Sequence, residues 1–312
     1  MSSEPIVTAL APPATQRSYS SGSTLLSDYW ALTKPEVNFL ILITTAAGFY
    51  LGSINEGRPL SFAALVSDLL GTLLVASGTA TLNQYIERHF DARMRRTARR
   101  PVAAGRLAPR EVLVFGITLS AAGCIYLAVF VNIIASLLAL LTLLSYLFLY
   151  TPLKRRTPLC VLVGAFPGAM PPLIGWAGAS GRFNVEAWAL YTILFLWQFP
   201  HFMAIAWMYR EDYDRAGYIM LPRGILRFRL VVLQTLLPLI ALIPISLMSL
   251  SMQHAGALYW VGLLPGLGFL YFGTQFVIRR SRPAARRLLL ASIVYLPLWF
   301  VLNATLCNPV RR

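Results

Sequence analysis

Asn83, Glu87 and Asp91 follow one another at intervals of four residues, and Glu211, Asp212 and Asp214 crowd into a short stretch further along the chain. On a helix the first three drift by only about 80° over roughly 12 Å, so their side chains share one face. The chain has only twelve Asp and Glu, which makes their gathering informative. Arginines border both groups. Carboxylate and amide oxygens are hard ligands, and Mg²⁺ typically binds through one or two carboxylates with substrate phosphates completing the shell. Neighbouring Arg and Lys would neutralise the rest of a diphosphate's charge. A departing diphosphate gains charge as its C–O bond breaks, and a metal with preplaced cations stabilises that change. The competing reading is a pair of solvated helix ends whose acids pair with the nearby arginines.

Other polar residues carry less. Lys154 and Arg155 follow Tyr150-Thr151-Pro152, and Arg95, Arg96, Arg99 and Arg100 form a dense cluster. Most of these are read as topology determinants. His201 falls inside an apolar run, where an ionisable group marks either a functional site or a hydrogen-bonded structural histidine. It would share a face with Met208 and Asp212 if the helix were continuous there. Asp68 also falls inside a span and stays open. His89 reads as an interfacial residue beside Asp91, and His254 carries no assignment. Cys124, Cys160 and Cys307 belong to no metal-binding or redox spacing and are expected to be packed thiols.

The elements that must position these residues are apolar. Of 312 residues 57% are hydrophobic and 12% charged, with a mean hydropathy of +0.64. The apolar residues arrive in runs long enough to cross a hydrocarbon slab, and in lipid such runs must be helices. The expected fold is all-α and integral to the membrane, with about nine spans near 36–53, 61–86, 111–131, 133–151, 159–178, 187–208, 229–251, 257–277 and 288–306. Of the 27 Lys and Arg, 23 fall in the N-terminal segment and alternate loops, and four on the other side. This asymmetry places the N-terminus in the cytoplasm. The net charge of +15 is therefore a topology signal, and nucleic-acid binding is a poor reading of it.

Residues 1–27, rich in Ala, Pro, Ser and Thr, read as a disordered tail. The membrane domain is expected over 28–308, with 309–312 a short C-terminal tail. Pro167, Pro171, Pro172, Pro200, Pro238 and Pro244 fall within spans, where buried helices tolerate a kink.

The run from Asn83 to Gly105, NQYIERHFDARMRRTARRPVAAG, resembles the UbiA superfamily of intramembrane prenyltransferases, and within it the branch that acts on haem. So do Leu32-Thr33-Lys34-Pro35, YTPLKRRTP from Tyr150, GAFPGAMPPLIGW from Gly164, and WQFPHFMAIAWMYREDYDRAGYIMLP from Trp197 to Pro222. The resemblance covers nearly the whole chain from about Tyr29. It implies a UbiA-type helical bundle in a bacterial inner membrane. Farnesyl diphosphate would ionise and its allylic carbon add to a vinyl group of protohaem IX, water then completing the side chain of haem O. Asn83, Glu87, Asp91 and Asp212 would hold Mg²⁺–diphosphate, with Arg88, Arg100, Lys154, Arg155 and Arg210 as diphosphate partners. Trp197 and His201 would belong to a haem-side wall. A haem A synthase or terminal oxidase assembly is a candidate downstream partner.

Departures favour the haem branch: Gln84 and Glu87 stand where aromatic-acceptor enzymes usually carry an Asp-rich motif, and Tyr213 follows a single matching Asp212. An Asn common in that branch near Cys160 is absent. The rival readings are a UbiA-type enzyme acting on an aromatic or quinone precursor, and a non-enzymatic haem transporter or chaperone.

Overall fold

The computed structural model describes residues 24–221, 224–251 and 257–306, and these contain helices and turns without a strand. The expectations for residues 1–23, Pro222, Arg223, His254, Cys307 and 309–312 lie outside the described residues.

Helix α1 spans Leu25–Leu32, α2 Pro35–Asn55, α3 Phe62–Asp91 and α4 Pro109–Phe130. Helix α5, Ile133–Leu144, runs into a π-helical turn, Ser145–Tyr150, and the single turn α6, Thr151–Leu153. The next pass is divided into α7, Cys160–Gly168, and α8, Pro171–Ser180. Then come α9, Val185–Met208, the short α10, Arg210–Ala216, and three long helices. These are α11, Ile225–Ser251, α12, Ala257–Arg279, and α13, Arg282–Leu306. Among the described residues eight stretches are long and apolar enough to cross a membrane, and α12 is a further 23-residue helix between the last two. The expected all-helical membrane architecture is what the chain adopts.

Local chemistry explains the breaks. Pro171 and Pro172 open α8, so the fifth pass restarts where two residues lack an N–H. Before Pro152 the backbone widens into the π turn, and the Thr151 hydroxyl donates to the Tyr146 carbonyl at 2.9 Å. Helix α1 starts at Leu25, capped by Thr24, so its first three residues fall within the expected tail. Asp28 fixes it to the segment after α3 by receiving Arg106 Nε at 3.0 Å.

Close crossings rest on missing side chains. At the α2–α8 crossing a Cβ on Gly175 would lie 1.9 Å from the Thr45 carbonyl oxygen, and one on Gly48 would lie 2.1 Å from that of Pro172. Small residues let backbones meet inside a bilayer, where lipid offers no hydrophobic drive to bring helices together. The divided pass α7–α8 is the most enclosed. Apolar side chains such as Val114, Ile125, Phe130, Leu137, Phe148 and Leu237 face outward, as a lipid-exposed surface requires.

Candidate active site

Helix α3 delivers Asn83, Glu87 and Asp91 to one cavity, as their spacing predicts. All three are at most 5% exposed, so they are not solvated helix-end residues. Asn83 Nδ2 donates to Glu87 Oε2 at 2.9 Å, and the Thr151 hydroxyl, whose one hydrogen is shared with the Tyr146 carbonyl, lies 3.0 Å from Asn83 Oδ1. Glu87 Oε1 accepts from Lys154 Nζ at 2.8 Å and from the Tyr218 hydroxyl at 3.0 Å. Arg100 donates to Asp91 Oδ2 at 2.7 Å. Asp91 Oδ1 is buried with no hydrogen-bond partner among the described residues.

Burying this many charges works only because they are paired. Burial alone would lower the pKa of Lys154. The Glu87 carboxylate opposes that, with Tyr150 and Tyr146, and holds the ammonium well above its ordinary value. The Nζ also sits 4.5 Å from the Tyr150 ring centroid. Burial, and then the carboxylate it faces, pushes the Tyr218 phenol far up, so it remains a hydrogen-bond donor.

The polar cavity has a volume of about 280 Å³, and an apolar cavity of about 330 Å³ adjoins it. Lys34, Val37, Tyr146, Tyr150 and Phe202 line both. The apolar cavity continues between α2, α3, α5, α7 and α8, along Ile41, Val75, Ala76, Ala139 and Ile174. A polar head of buried acids and cations thus opens into a hydrocarbon slot. That arrangement suits an amphiphile with an anionic head and an apolar tail.

Lys34 stands at the junction in a left-handed conformation, φ 51°, with Pro35 next. A non-glycine residue there is strained, and the following proline disfavours it further. The neighbouring polar contacts hold the turn: Asn38 Nδ2 donates to Thr33 O at 2.9 Å and to Ser77 Oγ at 2.8 Å. Burial first, and Arg100 next, lower the Lys34 pKa to about 7.

The structure brings Asn83, Glu87, Asp91, Arg100 and Lys154 together and leaves the other expected site residues outside this cavity. Arg88 turns back to the Tyr85 carbonyl at 2.7 Å and covers that ring. Arg155 lies over Phe90, 4.1 Å from its centroid. Arg210 reaches the Trp207 carbonyl at 3.1 Å. Asp212 is buried beside the site, paired with Arg215 and accepting the Arg96 backbone N–H at 3.4 Å. It anchors the segment that carries Arg96, which does line the cavity. Glu211 and Asp214 are exposed.

The helix does not continue from His201 to Asp212 as a shared face would require. It breaks at Tyr209, φ −108° and ψ 20°, and α10 starts afresh at Arg210. His201 and Trp197 instead meet α13, where Trp197 Nε1 donates to the Ser292 carbonyl at 2.8 Å. Asp68 is fully buried against Gly178 without a hydrogen-bond partner among the described residues. Cys124 and Cys160 are free thiols.

Site residues that sequence reasoning missed are Lys34, Arg96, Tyr218 and Thr151. Gln84, in the first motif, serves structure: its side-chain amide donates to the Leu32 carbonyl at 2.8 Å and closes the end of α1. The donor set fits Mg²⁺, being all oxygen, with the orphaned Asp91 Oδ1 as the atom a cation would satisfy. Among the described residues no group of three or more His, Cys, Asp or Glu could hold a metal by itself, so phosphate oxygens would have to complete the shell.

The chain is 48% identical over 280 residues to the Protoheme IX farnesyltransferase of Solibacter usitatus, covering 88% of this chain and 96% of that one. It is 42% identical over 287 residues to the protein of the same name from Koribacter versatilis, covering 89% and 92%. Among solved structures, a digeranylgeranylglyceryl phosphate synthase superposes with a TM-score of 0.74 at 16% identity, covering 90% of this chain and 98% of that one. A UbiA homologue from Archaeoglobus fulgidus bound to GPP and Mg²⁺ superposes with a TM-score of 0.57 at 16% identity, covering 89% and 99%. The sequence profile of the UbiA prenyltransferase family matches residues 41–300. With that match over most of its length, this chain belongs to the UbiA prenyltransferase family.

Proposed function

We propose that this protein is a multi-pass enzyme of the bacterial cytoplasmic membrane that transfers farnesyl from farnesyl diphosphate to protohaem IX. The carbon chain adds to a vinyl group, water completes a hydroxyethylfarnesyl side chain, and haem O and diphosphate are the products. The observation that carries the donor half is the buried cavity of Asn83, Glu87, Asp91, Arg100 and Lys154 opening directly into an apolar slot. The acceptor half is supported by relatives named Protoheme IX farnesyltransferase that align over nearly nine-tenths of the chain.

In this reading the diphosphate lies against Lys154, Arg100, Arg96 and Lys34, and the farnesyl tail lies in the slot beyond Tyr146 and Tyr150. Asn83, Glu87 and Asp91 would hold Mg²⁺, which supplies charge stabilisation to the departing diphosphate. Asp212 supports this group from behind by fixing the Arg96 segment. The apolar slot excludes bulk water from the allylic cation until the acceptor has reacted. Haem O would pass to a haem A synthase or a terminal oxidase assembly.

The acceptor test supplies the purified protein with farnesyl diphosphate and Mg²⁺, adding either protohaem IX or 4-hydroxybenzoate. Acceptor-dependent release of pyrophosphate is expected with protohaem alone. Release with 4-hydroxybenzoate alone would move the protein to the aromatic-acceptor branch.

Lys34 gives a pH prediction. Its ammonium, with a pKa lowered to about 7, loses its charge as pH rises through that value. If that charge receives the diphosphate, kcat/KM for farnesyl diphosphate falls about fivefold over the first unit above it and about tenfold per unit beyond, since kcat/KM reports the free enzyme. Lys34→Arg keeps its charge throughout and should abolish the fall. An identical decline in the variant would assign the limb to another group.

A further inference from the structure

The contacts of His201 fix which of its ring nitrogens carries the proton. Nδ1 lies 2.8 Å from Ser292 Oγ. The hydrogen of that hydroxyl is already directed to the Leu289 carbonyl at 2.6 Å, so Oγ meets the imidazole with a lone pair and Nδ1–H is the donor. Nε2 is therefore the unprotonated nitrogen. It is neither sealed from the surface nor hydrogen-bonded among the described residues.

The ring is also held in its plane. Trp197 stacks on it at 4.7 Å between centroids and 26° between planes. The Trp197 indole N–H is in turn fixed on the Ser292 carbonyl. The hydrogen bond to Ser292 and the stacked indole orient the imidazole through one nitrogen and leave the other unpaired among the described residues. An imidazole anchored through Nδ1–H, with Nε2 left without a partner among the described residues, is the arrangement that orients a metal ligand.

We propose that His201 is the axial ligand of the acceptor haem, Nε2 binding the iron of a haem that approaches from the bilayer beside α9 and α13. This rests on the reading of haem as the acceptor. The Nε2 lone pair forms one coordinate bond to iron, and no proton or electron is transferred: Nδ1–H stays on Ser292 Oγ. A porphyrin held through its iron keeps its vinyl-bearing edge free. Phe202, the next residue, has its ring 5.7 Å from that of His201 and lines both cavities, so it stands between the ligand and the farnesyl slot.

The test uses the full chain in detergent with ferric haem B, read by absorption and electron paramagnetic resonance. The wild type should show a histidine-ligated haem. His201→Ala should lose that signature and at least tenfold in affinity, and free imidazole should restore the signature. Ser292→Ala should keep the signature and bind about tenfold more weakly, as removal of an outer partner of a metal ligand does. Metal-free protoporphyrin IX should bind the wild type and His201→Ala equally. An unchanged haem spectrum in His201→Ala would overturn the proposal, as would equal losses of haem and metal-free porphyrin. A wild type that shows the histidine signature but makes no haem O would defeat the transferase reading and leave the ligand assignment standing. Haem O formation with an unaltered His201→Ala spectrum would do the reverse.

Discussion

Glu87→Gln is expected to lower kcat for prenyl transfer by about 10²–10³, the range for removing one preorganised electrostatic group from a transition state. Glu87 is the centre of the polar cavity: it accepts from Asn83, Lys154 and Tyr218, and its neighbour Asp91 has an orphaned oxygen. Gln preserves size and one acceptor but removes the charge that a Mg²⁺–diphosphate and Lys154 both answer to. The variant also leaves Lys154 a buried cation without its counterion, a loss of about 3–5 kcal/mol for a broken buried pair. Adding Lys154→Met should recover much of the thermal stability in detergent while turnover stays low. Full activity with unchanged Mg²⁺ dependence in Glu87→Gln would remove Glu87 from the metal site.

Gly175→Val should be the most disruptive change at a position far from charge. Even a Cβ there meets the Thr45 carbonyl oxygen at 1.9 Å and the Phe49 backbone nitrogen at 2.8 Å. These are backbone atoms of α2, which no rotamer change can move aside. Overpacking commonly costs about 1–3 kcal/mol, and this contact belongs at or above the top of that range. Because α2 starts at the Lys34 turn, the displacement would also reach the cavity. Gly268→Ala is the control: nothing lies within 4 Å of its Cβ, so it should be neutral or slightly stabilising. Thermal unfolding of the two variants in the same detergent decides the matter, and equal midpoints would refute the packing argument.

The spans were legible because hydrocarbon allows one kind of answer: an apolar run of about 20 residues must satisfy its own backbone, and a helix does. The facial array of Asn83, Glu87 and Asp91 was legible for a related reason, since spacing within one helix predicts a shared face. Lys154 and Arg100 were legible through the resemblance, and their ion pairs to Glu87 and Asp91 follow.

Other features depend on information that spacing does not carry. Arg88 and Arg210 are each spent on the carbonyl of the residue three positions before and on its ring, a local contact that competes with any distant phosphate. The break at Tyr209 has no proline or glycine to announce it, so spacing alone left open whether His201 and Asp212 share a face, and the break separates them. Tyr218 reaches Glu87 across 131 positions of sequence, and only the folded chain brings them together. Lys34 is conspicuous in the structure because of its left-handed backbone, which the letters Thr-Lys-Pro do not reveal.

The most direct test of the central claim is mass spectrometry of the haem extracted after incubating the purified protein with protohaem IX, farnesyl diphosphate and Mg²⁺, with an EDTA control. The account predicts a haem carrying one farnesyl group plus water, formed with Mg²⁺ and absent with EDTA. Unmodified haem from a folded protein that has consumed farnesyl diphosphate, or that leaves both substrates intact, would contradict it.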